Sequence, residues 1–183
     1  MPLSFIFFIP PNQLAAPGTY TDRITFGVYQ AFNDPGAPED SKTINFSAVV
    51  VASAALCLVP TGSGFNQAST SQTLDFGTLS QGQSRTCDLL VRKNTSCTVT
   101  FVSGNRGVLK TSPQSTGDQI PYTLRLNGAP VDLSTTASIS LPPGVSPTQD
   151  GSRFPLVVTI GDPGTNPSAG DYRDEVMITV TVQ

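Results

Sequence analysis

The stretch of sequence that decides the fold is DEVMITVTVQ, which occupies positions 174–183. Every second position from 176 onward carries an apolar residue, namely Val176, Ile178, Val180 and Val182. A period of two is typical of a strand that buries one face. The pattern is complete where the printed sequence ends, so we expect an edge strand that no later strand covers. The same period also fits a central strand, or an edge that a bulge protects.

Working back from this strand, the same alternation recurs in six further stretches, separated by Gly, Pro, Asn and Asp: 44–52, 86–92, 97–103, 120–126, 137–141 and 154–160. No window long enough for a helix carries a helical stripe of apolar residues. Short strands at this spacing predict an all-β chain that folds as an immunoglobulin-like antiparallel β-sandwich. A closed barrel is the alternative architecture.

The composition excludes several classes of function. The 183 residues include no histidine and no tryptophan, so no catalytic triad or zinc site can use an imidazole. Charged residues make up 13% of the chain and the formal net charge is −3, which leaves no basic surface for nucleic acid. No convergent set of titratable groups stands out, and no stretch approaches the ~20 apolar residues of a transmembrane helix. We therefore expect an exported, non-enzymatic β protein without catalytic residues, metal, cofactor or transmembrane segment.

The two ends of the chain resemble each other. GTYTD at 18–22 matches GDYRD at 170–174, and the alternating apolar residues of 24–28 match those of 176–180. Matched positions are about 152 residues apart. A repeat of this kind indicates tandem copies of one domain.

The repeat suggests a division of the chain into three parts. We interpret residues 1–30 as the C-terminal strand remnant of a preceding homologous domain, 31–42 as a polar, Pro-rich linker and 43–183 as a whole second domain. The alternative for the N-terminus is a signal peptide, with the apolar run 3–9 as its core and a cleavage site at 14–16.

Several short motifs in the second copy carry a resemblance to a known family. In chain order they are LDFG at 74–77, IPYTL at 120–124 followed by NG at 127–128, FPL at 154–156 followed by IGD at 160–162, and GDYRD at 170–174. Their order and spacing resemble the spore coat protein U domain family, whose domains occur in subunits of archaic chaperone–usher pili. The resemblance covers 43–183 as one whole domain and 1–30 as the tail of another. This arrangement is similar to a two-domain pilus tip subunit.

The resemblance implies a structural and adhesive role in a pilus, or fimbria, and in biofilm formation. It implies a pilin-like sandwich that lacks its final strand, which a periplasmic chaperone supplies before assembly. At the usher, a donor strand of the adjacent pilin subunit would then take its place, by donor-strand complementation. The chain would pass through the periplasm to the cell surface. The alternatives are a secreted, monomeric carbohydrate-binding β-sandwich and a structural protein of a spore or cell-surface coat.

The implied donor-strand groove would lie between the first and last strands of the domain. Its expected lining is Phe46, Ala48, Val50, Val176, Ile178, Val180 and Val182. Residues 3–9 and 20–29 alternate as a donor strand should, so we also hypothesise that one of these segments folds back onto the open edge.

Cys57, Cys87 and Cys97 allow three single disulfide pairings. An exported β domain often contains one structural disulfide, and the resemblance favours Cys57–Cys97. The alternative is that all three thiols are reduced and pack as small hydrophobic groups.

Overall fold

The computed structural model describes residues 6, 8, 10, 13–29, 36–111, 118–164 and 167–183. Within them the regular elements are all strands, and no helix could cross a membrane. The strands are β1 (Gly18–Val28), β2 (Asp40–Val50), β3 (Ala54–Val59), β4 (Ser84–Lys93), β5 (Cys97–Ser103), β6 (Val108–Leu109), β7 (Ile120–Leu126), β8 (Ala129–Val131), β9 (Ala137–Leu141), β10 (Ser152–Ile160) and β11 (Val176–Val182).

Strands β3 to β11 form a β-sandwich of two antiparallel sheets. The first sheet runs β3–β4–β10–β7–β6, with β8 also paired to β7, and the second runs β11–β5–β9. The predicted strands from 86–92 onward correspond to β4, β5, β7, β9, β10 and β11. The prediction of an all-β antiparallel sandwich is confirmed.

Strand β7 shows how the sequence builds the core. Every second residue from Ile120 to Leu126 is buried and the others are exposed, so the period of two sets the core face. Asn127 and Gly128 have positive φ, of 49° and 82°, which is the backbone of a two-residue hairpin turn into β8. Phe101 of β5 is fully buried in the same core.

Strands β1 and β2 form a separate two-stranded antiparallel sheet, here called the ribbon. Their register is continuous from Gly18 opposite Val50 to Val28 opposite Asp40. Directly opposed residues share a face, and one face of the ribbon is mainly apolar: Tyr20, Ile24, Phe26, Val28, Ile44, Phe46 and Ala48. No residue of either strand is buried.

The ribbon differs from the domain boundaries that the sequence suggested. Strand β2 begins at Asp40, inside the predicted linker 31–42, and the sandwich begins with β3 at Ala54. Residues 31–35 of that linker lie outside the described residues. The strand predicted at 44–52 is observed as part of β2, but it pairs with β1 and does not join the sandwich. Alternation along a strand determines which of its faces is buried, but it does not determine which strand pairs with it.

Candidate functional site

One edge of the second sheet, strand β11, is open as far as the structure describes the chain. Strand β11 pairs with β5 from Val176 opposite Ser103 to Val182 opposite Cys97. On its other side β11 has no ladder partner among the described residues, although β3, at the edge of the first sheet, lies close to it. The free side of such a strand presents unpaired N–H and C=O groups to any incoming strand.

Beneath this edge lies a cleft of about 1120 Å³. The start of β11 and residues 167–173 form one side, while β3 and the segment 70–79 form the other. Side chains of the main core form its floor. The apolar side chains that line the cleft include Leu56, Leu58, Leu74, Phe76, Leu79, Leu109, Ile120, Leu124, Leu156, Val158, Val176 and Ile178.

The segment 70–79 has no strand pairing, and side chains hold it in place. The Asp75 carboxylate accepts a hydrogen bond from the Gly77 N–H at 2.8 Å, which closes a tight turn. The Gln83 amide donates to the Phe76 carbonyl at 2.6 Å, and Arg85 donates to the Asp75 carbonyl at 2.9 Å. The Arg85 guanidinium also lies 5.6 Å from the Phe76 ring centroid. This side of the cleft is therefore positioned without a neighbouring strand.

Asp174 anchors the entrance to β11. Its carboxylate accepts hydrogen bonds from the Tyr122 hydroxyl at 2.5 Å and the Ser103 hydroxyl at 2.6 Å. It also accepts from the backbone N–H groups of Asn105, at 2.9 Å, and Glu175, at 2.8 Å. Burial, together with the hydrogen bond to Asp174 and its charge, raises the pKa of the Tyr122 phenol. These bonds connect the start of β11 with both sheets.

The two copies of the sequence repeat contain an equivalent hydrogen bond. The Tyr172 hydroxyl, just before β11, donates to the Ser168 carbonyl at 2.9 Å. The Tyr20 hydroxyl, in β1, donates to the Ala16 carbonyl at 2.9 Å. Both bonds span four residues, so the same side-chain-to-backbone bond lies at the start of β1 and in front of β11.

Cys87 lies on the wall of the cleft and is only 4% exposed. Burial, and then the negative charge of Asp88, raise the pKa of its thiol. A protonated, buried thiol is a poor nucleophile. Its reaction with an alkylating reagent should therefore depend on how far the cleft opens.

Among the residues expected to line a groove, those on β11 lie at or near the cleft. Val176 and Ile178 line it, and Val180 packs against the same core further along the strand. Val182, at the end of the strand, is 36% exposed and lies outside the cleft.

The other three residues expected in the groove lie elsewhere. Phe46, Ala48 and Val50 belong to β2, where they pair with β1, and none of them lines the cleft. In their place the segment 70–79 forms the side of the cleft opposite β11. The motif LDFG within this segment contributed to the family resemblance, but the segment shows no alternation, so the sequence did not indicate a wall of a cleft.

The expected Cys57–Cys97 disulfide is not present, since all three cysteines are free and buried. Cys57 pairs with Leu90 and packs with it in a small cluster beneath Phe65. Cys97 lies in the main core. The residues flanking Leu90 point into that main core, so Cys57 and Cys97 lie on opposite faces of the first sheet. That placement excludes the bond.

The hypothesis that 20–29 fold back onto the open edge beside β11 does not agree with the structure, because residues 18–28 pair with β2 instead. Most of 3–9 lies outside the described residues. Two residues of that stretch are described: Ile6 is 94% exposed and Phe8 77% exposed.

The chain matches no protein-family model and no curated protein. Its structure is similar to a chain of the chaperone–tip adhesin complex of CFA/I fimbriae, with a TM-score of 0.51 and 16% identity. The match covers 94% of this chain and 55% of the other, so this chain spans about half the length of that protein. A second similar structure is the CooA pilin subunit from enterotoxigenic Escherichia coli, with 17% identity, a TM-score of 0.43, and coverage of 69% of this chain and 86% of the pilin.

The sheet order and the likeness to a chain of the fimbrial tip-adhesin complex show that the fold is an antiparallel β-sandwich shared with that complex. The resemblance of the motifs to the spore coat protein U family stays a prediction, since no family model matches.

Proposed function

We propose that this chain is a structural subunit of a surface pilus, whose sandwich is completed by a strand from another protein inserted along β11. The observation that carries the proposal is the side of β11 that pairs with no strand in the described part of the chain, above an apolar cleft of about 1120 Å³. An added strand would gain main-chain hydrogen bonds from the edge and would place alternate side chains in the cleft.

The gain from such a strand is comparable to the stability of a domain. Four inserted apolar side chains, at about 1.5–3 kcal/mol each, give an upper estimate of about 6–12 kcal/mol. A typical domain is stable by about 5–15 kcal/mol in total. The sandwich with an empty cleft is therefore expected to be marginally stable and prone to association.

The finer parts of the proposal follow from the motif resemblance. A periplasmic chaperone would fill the cleft first, and a donor strand of an adjacent pilin subunit would replace it at the usher. The sandwich would be the C-terminal pilin domain of a two-domain tip adhesin, exported through the periplasm to the cell surface. Its role would be structural and adhesive, without catalysis.

The test is to append a strand in cis. A hairpin turn after Gln183 would lead into a strand as long as the seven residues of β11, with Val and Thr alternating so that the Val residues enter the cleft. Alkylation of Cys87 should slow at least about tenfold, because each ~1.4 kcal/mol of protection against opening is a factor of ten. The urea midpoint should rise in parallel.

The matched control is the same extension with Ser in place of each Val, which can pair with β11 but cannot fill the cleft. Equal Cys87 protection by both extensions would show that no apolar strand site exists. Alkylation of Cys57, which is fully buried in the separate cluster, reports global unfolding in every sample.

A further inference from the structure

We propose that the outer face of the second sheet is a contact surface between copies of this chain, which binds the same face of a second copy. This contact goes beyond the proposed function and does not involve the cleft, because it lies on the side of the sheet that points away from the core.

This surface, here called the neutral face, consists of the residues of β5, β9 and β11 that point outward. The alternate residues of these strands, such as Val99, Phe101 and Ile178, pack in the main core. The strand register arranges the outward residues in three rows: Met177 and Val102; Thr179, Thr100 and Ser138; Thr181, Thr98 and Ser140. Six of these eight residues are exposed and the other two, in β5, are half-buried.

The neutral face differs in charge from the outer face of the first sheet. None of its eight residues is charged, and six of them carry a hydroxyl group. The outer face of the first sheet has four charged residues: Asp88, Arg92, Arg125 and Arg153. The segment 60–69 covers part of that face, where the Phe65 ring lies 4.1 Å from the guanidinium of Arg92. In the described part of the chain the neutral face has no comparable cover, since most of its residues are exposed.

The chemistry of the neutral face makes it complementary to itself. The chain has a formal net charge of −3, so two copies repel each other except where they meet through uncharged surface. Each hydroxyl group can both donate and accept a hydrogen bond, so an identical face provides partners for it. Met177 and Val102 add an apolar pair, 61% and 43% exposed. The core of a protein interface is typically depleted of charge and enriched in methionine.

The size of the neutral face indicates a weak contact that acts in large numbers. Its three strands have five to seven residues each. At ~4.8 Å between strands and ~3.4 Å per residue, it covers about 300 Å². A standard interface buries about 800 Å² on each partner, so one such contact does not hold a stable dimer. Contacts of this kind add up where many copies are held side by side, as they would be along two neighbouring pili.

The experiment attaches the full-length chain to beads at controlled density and measures agglutination of the beads by light scattering. Wild-type beads should agglutinate above a threshold density. Thr100→Lys places a charge at the centre of the neutral face and should raise this threshold at least about tenfold, because like charges would meet at every contact. The matched control is Thr123→Lys, which adds the same charge at an exposed hydroxyl position on the outer face of the first sheet. Its threshold should equal that of the wild type.

A charge exchange tests whether the face meets its own copy. Beads that carry Thr100→Glu should also fail to agglutinate at the wild-type threshold, whereas an equal mixture with Thr100→Lys beads should agglutinate again, because Lys would then face Glu. Urea midpoints show whether each variant is folded. Ser138→Lys, at an exposed position of the same face, provides a second variant if the Thr100 variants do not fold.

Equal thresholds for Thr100→Lys and Thr123→Lys would overturn the proposal, since agglutination would then use another surface, such as the cleft. Absence of rescue in the mixed beads, or no agglutination of wild-type beads at any density, would overturn it as well. Wild-type beads that bind a neutral glucan gel but not one another would make the face a carbohydrate site instead. None of these variants alters the cleft, so each outcome leaves the proposed function to its own test with the appended strand.

Discussion

Replacing Asp174 with alanine should destabilise the sandwich by about 3 kcal/mol, since the carboxylate holds the entrance of β11 through two hydroxyl groups. Net contributions of hydrogen bonds to a charged group are about 1.5–3 kcal/mol each. The Tyr122 and Ser103 hydroxyls make two such bonds. Asp174 is partly exposed, so the lower end of the range applies to both. The bond from the Glu175 N–H is exposed and adds little, whereas the bond from the Asn105 N–H is partly buried, so about 3 kcal/mol is a lower estimate.

Urea unfolding measures this loss directly. With a slope of about 1–3 kcal/mol per molar urea, the midpoint should fall by about 1–3 M. The melting temperature should fall by roughly 6–12 °C, at ~2–4 °C per kcal/mol. Asp174→Asn keeps an acceptor oxygen but loses the charge, so it should recover part of the loss.

The matched control is Asp171→Ala, which removes an exposed carboxylate three positions earlier on the same segment. A surface change of this kind should stay within about 0.5 kcal/mol of the wild type. If Asp174→Ala were equally mild, the carboxylate would not anchor β11. A loss at Asp171→Ala as large as at Asp174→Ala would assign the effect to net charge.

Three further predictions concern turns, the repeat and pH. Gly151→Ala should destabilise by several kcal/mol more than Gly128→Ala, because both glycines have positive φ but only at Gly151 would a Cβ overlap a carbonyl group of β4; comparable urea midpoints would contradict this. Tyr172→Phe should lower the melting temperature by roughly 2–4 °C, as expected for about 1 kcal/mol, while Tyr20→Phe, which removes the same bond from the exposed ribbon, should not. Because the pKa of Tyr122 is raised in the folded state, its contribution to the free energy of unfolding is complete below pH ~10 and is lost as the pH rises further. Between pH ~10 and 11.5 the urea midpoint of Tyr122→Phe should therefore fall less with pH than the midpoint of the wild type.

Strands β4, β5, β7, β9, β10 and β11 could be predicted because apolar and polar residues alternate along most of them, whereas β3, β6 and β8 were not predicted. Strand β7 and strand β11 each place every second side chain toward the core, and the sequence shows this period without ambiguity. The hairpin turn at Asn127 and Gly128 is equally local, since positive φ restricts the residues that suit it. Short-range rules of this kind do not require knowledge of the neighbours.

The cleft beside β11 could not be predicted in full, because its walls depend on contacts between residues that are distant in the sequence. Alternation in 44–52 predicted a strand, but whether that strand pairs with β1 or joins the sandwich depends on long-range pairing. The segment 70–79 has no regular period, because side-chain bonds from Gln83 and Arg85 hold it in place of a ladder. The cysteine pairing that the resemblance favoured is not formed, because the face of the sheet on which each thiol lies also depends on long-range pairing.

The edges of the two sheets differ in a way that bears on function. Proteins usually protect edge strands by shortness, proline, lysine or a bulge. Strand β6 has only two residues, β8 contains Pro130, and β9 is followed at once by Pro142 and Pro143. Strand β11 has none of these devices, since 176–182 contain neither proline nor lysine and the register with β5 runs without a bulge. An edge that can pair in this way, above an apolar cleft, is what the proposed insertion of a strand along β11 requires.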